Sequence, residues 1–280
     1  MKTNLRYALV PSMIAMAVAL TACGGGGGDS APSAPPAGST PQSFTVNGSA
    51  AAVASSGNNV SVLFTPATLS GSSLPQGTVF NAASVPFLNF HTYNLTGAYT
   101  QVAASDSATS ALSDNGTISD VAGVGGFVAI GRWTNGSDTT GGTYNANQGA
   151  AYAVGTPLTL TASSGTLSCS KALATSPVST SGSVAPGSLT AATATLDLAT
   201  LTLSSFSATV AIGADSAFTF ISSQVALNQV QSGGGNTFVS RVMGNDATKP
   251  VIAVSYGTHA TSTGDINGLV VLTCAPLPAV

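Results

Sequence analysis

The feature that most constrains this chain is a long segment in which apolar and small polar residues alternate. Residues 187–213 read GSLTAATATLDLATLTLSSFSATVAIG, with Leu196 and Leu198, and then Leu201 and Leu203, two positions apart. A period of two places alternate side chains on opposite faces of a strand, whereas a helix needs a period of about 3.6. The chain also contains no glutamate, and only 5% of its residues are charged. Because helices depend on Glu, Lys and Arg for their exposed faces, we expect an all-β protein.

Short strand-like runs separated by turn signals recur along the rest of the chain. Asn47-Gly48 and Asn135-Gly136 are dipeptides typical of tight turns. The runs follow one another at intervals of about 8 to 15 residues, and no long segment has a helical period. This spacing predicts an antiparallel sandwich or barrel. Closure into a barrel would also remove the exposed strand edges.

Residues 1–22 are predicted to form a signal peptide. Lys2 and Arg6 precede an apolar run that Pro11 and Ser12 interrupt. A basic start, a short apolar stretch and small residues at the cleavage site are the marks of a secretory signal. A membrane-spanning helix needs about 20 apolar residues, which is more than this run supplies. We therefore expect the segment to be removed rather than retained as an anchor.

Residues 20–23, Leu-Thr-Ala-Cys, resemble the lipobox of bacterial lipoproteins, in which a branched residue, two small residues and a cysteine end the signal. The resemblance implies cleavage before Cys23, a diacylglycerol on its sulfur, and an acyl chain such as palmitate on the new amino terminus. The alternative is an ordinary secretory signal followed by an unpaired cysteine, although an exposed free thiol is reactive. Cys23 is thus the predicted lipidation site, and a membrane is the expected partner of this end.

Residues 23–43 are predicted to be a disordered, flexible tether. Gly24–Gly28 follow the cysteine, and prolines with small polar residues come next. Such a composition cannot bury apolar area and is typical of linkers. About 20 flexible residues have a mean reach of about 25 Å, which lifts a folded body off the headgroups. Glycine rather than aspartate after the cysteine resembles lipoproteins sorted to the Gram-negative outer membrane. We therefore predict the outer membrane as the location. The sequence leaves both orientations open, towards the cell surface and towards the periplasm.

The predicted body divides into an N-terminal β-rich region over residues 44–125 and a C-terminal β-barrel over residues 126–280. It contains two further cysteines, Cys169 and Cys274, both in strand-like runs. An even number of cysteines in an oxidising compartment predicts a disulfide. Closing a loop of about 105 residues would contribute about 4 to 5 kcal/mol in the chain-entropy account. The alternative is a pair of buried thiols.

The second half of the chain resembles the eight-stranded β-barrel of transferrin-binding-protein-like lipoproteins. The matching segments are GRWTNG at 131–136, GTPLTLTASSGTLS at 155–168, PGSLTAATATLDLATLTLSSFSATV at 186–210, and VSYGTHATSTGDINGLVVL at 254–272. Tyr256-Gly257 and Gly268 fit the closing hairpin of that family, whereas Thr258 and His259 replace its usual proline and asparagine. The resemblance implies a barrel. It does not extend to transferrin, because the charged loops of such receptors are missing.

An aromatic run and an Arg-Trp pair supply the candidate ligand-binding residues. The run SVPFLNFHTYNLTGAY contains Phe90, His91 and Tyr93, and Arg132 precedes Trp133, the single tryptophan. Exposed aromatic rings would bind a sugar, a haem or a partner protein, and the arginine would stack or pair with a carboxylate. Alternating aromatic residues also build cores, and a cation beside a core aromatic is common at a sheet edge. Both interpretations stay open from the sequence.

Composition and spacing argue against several functions. Six lysines and arginines, two of them in the signal, leave no basic patch for nucleic acid. His91 and His259 lack a second histidine or a cysteine at metal-ligand spacing, and Asp114 with Asp120 does not match a calcium loop. The spelling SCSK lacks the partner motifs of serine acyl enzymes. A catalytic site would need Asp, His and Ser from separate strands to converge. We predict no enzyme, no metal site and no cofactor.

These features together predict an outer-membrane-anchored lipoprotein with a non-catalytic body. The first hypothesis is capture of an unknown protein or small-molecule ligand at the cell surface, which matches the family resemblance. The alternative is a structural or adhesive envelope protein without a defined pocket. The alternative matches the charge-poor surface rich in Ser, Thr and Gly.

Overall fold

A computed structural model describes residues 43–71, 77–94, 97–113 and 115–276. The predicted signal peptide, the lipidation site Cys23 and nearly all of the predicted tether lie outside the described residues, as does Asp114. Contacts divide the chain between Pro41 and Gln42, and the unit Gln42–Val280 contains the described residues. Strands make up most of the described part, which confirms the all-β fold.

The first part of the unit forms a lobe of short strands. They are β1 (Thr45–Gly48), β2 (Asn59–Thr65), β3 (Phe80–Pro86), β4 (His91–Tyr93), β5 (Ala98–Ala103), β6 (Thr109–Ala111), β7 (Thr117–Val124), β8 (Val128–Thr134), β9 (Gly136–Ser137), β10 (Thr143–Tyr144) and β11 (Ala150–Gly155). A 3₁₀ helix at Phe87–Asn89 follows β3. Across the described ranges, no helix has the length and apolar character needed to cross a bilayer.

A six-stranded sheet in the order β1-β7-β8-β11-β2-β3 forms the centre of this lobe. β1 runs parallel to β7, and the other pairs are antiparallel. The sheet is covered on both faces, so consecutive residues of its inner strands are buried. On β11, Tyr152 and Val154 join one core, whereas Ala151 and Ala153 join another. The smaller sheet β4-β5-β6 contributes Tyr99 and Val102 to the first of these cores.

The second part of the unit is built from longer strands. They are β12 (Thr166–Ala174), β13 (Val178–Ser179), β14 (Ser188–Asp197), β15 (Thr202–Ile212), β16 (Asp215–Ala226), β17 (Val230–Gly233), β18 (Asn236–Met243), β19 (Val251–Ala260) and β20 (Gly264–Pro276). Their order is β16-β15-β14-β12-β20-β19-β18-β17, with β13 added beside β20. This antiparallel sheet curls into a barrel-like wall, as the sequence predicts for the C-terminal half.

The curled sheet begins later than the expected boundary between residues 125 and 126. That boundary falls in the turn of the β7–β8 hairpin, where Gly125 and Gly126 both have positive φ. Two such glycines suit a tight hairpin turn, and here they connect two strands of one sheet. β8 and β11 therefore pair within the six-stranded sheet, β9 and β10 pair with each other, and the curled sheet starts at Thr166.

Side chains fill the inside of the curled sheet. The Phe206 and Phe238 rings lie 5.3 Å apart, and the Phe220 and Tyr256 rings lie 4.9 Å apart. Leu and Val residues from β14, β15, β19 and β20 complete this core. The outer face of β18, β19 and β20 also carries apolar residues where the six-stranded sheet packs on it: Val239 and Leu269, for example, join a cluster with Leu63.

The two ends of the curled sheet meet through side chains. No backbone ladder joins β16 to β17 in the described part of the chain. Instead, the Gln231 carboxamide accepts from the Ala226 N–H (2.8 Å) and donates to the Gln224 carbonyl (3.0 Å). Asn236 Nδ2 donates to the Ile221 carbonyl at 3.2 Å. These side-chain carboxamides make the hydrogen bonds that the backbone of a neighbouring strand would make. They therefore cover part of the edge of β16, which has no strand partner on that side among the described strands.

The predicted disulfide is confirmed. Cys169 on β12 and Cys274 on β20 lie directly opposite each other and are bonded, with a sequence separation of 105. Both cysteines are buried in the core of the curled sheet. The bridge therefore joins the first and last long strands of that sheet.

Candidate functional site

The aromatic run contributes mainly to the core. Phe90 is 7% exposed, and its ring lies 6.0 Å from that of Tyr99. Tyr93 is half-buried, with its ring 5.4 Å from the ring of Phe44. His91, between them, is exposed. Of the three candidate ligand residues in this run, His91 is exposed, Tyr93 is half-buried and Phe90 is buried.

Trp133 also belongs to the core. Its side chain is fully buried, and its Nε1–H donates to the Tyr99 carbonyl at 2.7 Å. Its ring centroid lies 5.0 Å from that of Phe64. Since the indole donor already has a buried partner, this is the environment of a core tryptophan.

Arg132 lies on the opposite face of β8, at the junction between the six-stranded sheet and the curled sheet. Its Nε donates to Asp120 Oδ2 at 2.9 Å, and its Nη1 donates to the Gln148 carbonyl at 2.8 Å. Asp120 also accepts from the backbone N–H and the hydroxyl of Ser176. The arginine does pair with a carboxylate, but the pair is part of the junction. The five candidate ligand residues therefore do not form one surface.

His259 and Asp265 form an exposed pair that the sequence analysis did not predict. Nδ1 lies 2.8 Å from Asp265 Oδ1, and the residues are cross-strand neighbours on β19 and β20. In the sequence the two residues flank the segment ATSTG, and this position on either side of a turn could have predicted the pair. No serine in the described ranges hydrogen-bonds to His259, so the third member of a catalytic triad is missing there. The described residues also hold no group of three metal-ligating His, Cys or Asp side chains.

A groove of about 500 Å³ lies between the β7–β8 hairpin and the curled sheet. Small-molecule sites commonly measure about 300 to 1,000 Å³. Val124 and Phe127 form the wall on the hairpin side. The opposite wall consists of Ser168, Ser170, Val251, Thr273, Cys274, Ala275 and Pro276, and the rim consists of Asn245, Asp246 and Lys249.

The groove combines apolar walls with a small number of polar groups. Hydroxyls of Ser168, Ser170 and Thr273 line it, and its rim holds one cation, Lys249, and one anion, Asp246. Hydrogen bonds from the Thr248 hydroxyl and N–H lower the pKa of the Asp246 carboxyl, so it is ionised at neutral pH. Neither histidine lines the groove, and its cysteine is in the disulfide. The ionisable groups that share the groove with its hydroxyls are therefore Asp246 and Lys249. This chemistry suits binding and orientation of a ligand.

The groove could not be found from sequence, because its lining comes from four distant segments, near residues 124, 168, 245 and 273. No family model, curated protein or solved structure matches this chain. The function of the groove is therefore inferred from its lining residues and geometry alone.

Proposed function

We propose that this protein is an outer-membrane-anchored lipoprotein whose non-catalytic β-body captures a protein or small-molecule ligand. The observation that carries the proposal is the groove between the β7–β8 hairpin and the curled sheet. Its volume of about 500 Å³, its apolar walls and its few converging polar groups are the properties of a ligand site. We place the ligand there rather than on the aromatic run.

The resemblance of residues 20–23 to a lipobox supports the anchored part of the proposal. A glycine- and proline-rich segment separates Cys23 from the unit that begins at Gln42. In this arrangement, acyl chains would hold the protein to the membrane, and the tether would leave the groove accessible. Two or more acyl chains give a stable anchor, whereas one alone is marginal.

The curled antiparallel sheet of the C-terminal half supports the proposed relationship to transferrin-binding-protein-like lipoproteins, although the matching segment at 131–136 begins in β8 of the six-stranded sheet. The relationship favours a surface-exposed binding module.

A structural or adhesive envelope role is the second candidate. It is favoured by the outer face of β14, where Ser188, Thr190, Ala191 and Thr193 are exposed. A surface of small, uncharged residues would pack against neighbouring envelope components without needing a pocket.

Protease shaving of intact cells that express the tagged protein separates a role at the cell surface, whether capture or adhesion, from a structural role inside the envelope. Capture at the cell surface predicts that added proteinase K removes the body without lysis. A Cys23→Ala variant, which lacks the proposed anchor, is expected to lose its place in the outer membrane. If the wild type is protected until the outer membrane is permeabilised, the surface-capture proposal is wrong and the envelope role is favoured.

A further inference from the structure

Arg241 is a buried cation without an anion. It lies on the outward face of β18 and is 6% exposed. Its Nε donates to Asn81 Oδ1 at 2.7 Å, and its Nη2 donates to the carbonyl oxygen of the same residue. Both acceptors are neutral. In the described ranges, no carboxylate lies within ion-pair distance of the guanidinium.

This arrangement is unusual because buried charges are generally paired. Arg132, the other buried arginine, shows the ordinary case, since Asp120 is its partner. Burial alone lowers the pKa of Arg241, to about 10, and no charge partner offsets that cost. The side chain remains a cation at neutral pH. A bound anion would supply the charge compensation that the chain itself does not.

The guanidinium has an edge available for such an anion. Asn81 occupies the Nε–Nη2 edge, whereas Nη1 makes no hydrogen bond to a described residue. The Nη1–Nη2 edge matches the two oxygens of a carboxylate, which arginine binds with two parallel hydrogen bonds.

A small cavity beside Arg241 limits the size and polarity of the molecule that could carry this anion. Its volume is about 180 Å³, and its lining is mainly aliphatic. The aliphatic residues are Ala83, Leu158, Leu160, Leu201, Leu227 and Val242. At about 30 Å³ for each water-sized group, the cavity holds about six such groups, which is the size of butanoate. A phosphate or sulfate would need further donors, and an amino acid would bring an unpaired ammonium into an apolar site.

We propose that this cavity binds a short aliphatic carboxylate, with the carboxylate on Arg241 and the alkyl chain among the leucines. The cavity and the groove share no lining residue, so this site does not depend on the proposed function. Loss of one would not imply loss of the other.

Isothermal titration of the purified mature protein with sodium butanoate, in low-chloride buffer, tests the site. We expect butanoate to bind and butan-1-ol and butylamine not to bind, because only the first carries the anion. Arg241→Gln is expected to weaken binding at least about tenfold, since it removes charge-assisted hydrogen bonds. Lys171→Gln, which removes an exposed cation that lines neither the groove nor the cavity, is the matched control and is expected to bind butanoate as the wild type does.

Ala83→Leu is the second variant. It narrows the cavity at an exposed position and leaves the Arg241 cation in place. It is also expected to weaken butanoate binding about tenfold, and it decides the test if Arg241→Gln does not fold. The proposal is overturned if butanoate does not bind, if butan-1-ol binds equally well, or if folded variants at both positions bind as the wild type does. Loss of binding in Lys171→Gln as large as in Arg241→Gln would show a general effect of charge and would also overturn it.

Discussion

Asp120 and Arg132 are joined across neighbouring strands by an ion pair, with Nε 2.9 Å from Oδ2. Asp120 lies in a bulge of β7 and has a φ of 59°. It also accepts two hydrogen bonds from Ser176, which follows β12 in the curled sheet. One carboxylate therefore links β7, β8 and the curled sheet.

Asp120→Ala is expected to lower the free energy of unfolding by about 3 kcal/mol, because it leaves the Arg132 guanidinium buried without its partner. Asp106→Ala is the control, since Asp106 is exposed and is expected to change the free energy by less than about 0.5 kcal/mol. Urea denaturation of both variants measures the difference. Equal stability of the two variants would mean that the ion pair does not hold the junction.

Two buried tyrosines differ in the partners of their hydroxyls. Tyr152 Oη accepts from the Tyr99 N–H at 3.1 Å, whereas Tyr256 Oη has no partner in the described structure. Tyr152→Phe should therefore cost about 1 to 3 kcal/mol, because it leaves a buried N–H unsatisfied. Tyr256→Phe should be neutral or slightly stabilising, because it removes an unsatisfied group. Thermal unfolding of both variants tests this order, and a larger loss for Tyr256→Phe would reveal an unseen partner such as buried water.

The disulfide is expected to make a large contribution to stability. The double substitution Cys169→Ala and Cys274→Ala should lower the free energy of unfolding by about 3 to 5 kcal/mol, since the bridge closes a long loop. Cys23→Ala is the matched cysteine control and is expected to leave the unfolding of the body unchanged. A double variant as stable as that control would show that strand packing alone sets the stability of the curled sheet.

Asp215 is expected to make stability depend on pH in the acid range. The side chain and N–H of Thr263 and the N–H of Ser262 lower the pKa of its carboxyl below the usual 3.8. A carboxyl whose pKa is lower in the folded state stabilises fully above the unfolded pKa, and this stabilisation is lost as pH falls through the folded pKa. The stability difference between the wild type and Asp215→Asn should thus be largest at about pH 7 and shrink towards about pH 3. Urea denaturation across that range checks it, and a difference that grows on acidification would contradict this account.

Local alternation was sufficient to predict individual strands. The run at 187–213 becomes β14 and β15, and the break at Ala199-Thr200 becomes their turn. Asp197 stabilises that turn by accepting from both of these N–H groups, at 2.8 and 3.0 Å. Such short-range signals are fully present in the sequence.

The sequence was less informative about which strands pair and which side chains are buried, because both depend on segments that are far apart in the chain. Trp133 and Arg132 are consecutive, so a strand places them on opposite faces, and a sheet with one solvated face would expose one of them. The six-stranded sheet is instead covered on both faces, which buries both residues. The groove and the Arg241 cavity likewise arise only where the two sheets meet.

The chemical state of Cys23 tests the central claim of a lipid-anchored body most directly. Mass spectrometry of the amino-terminal peptide of the mature protein, isolated from membranes, measures it. We predict that the chain begins at Cys23, with diacylglycerol on the sulfur and an acyl chain on the amino group. An amino terminus at another residue, or a Cys23 with a free thiol and a free amine, would contradict the account.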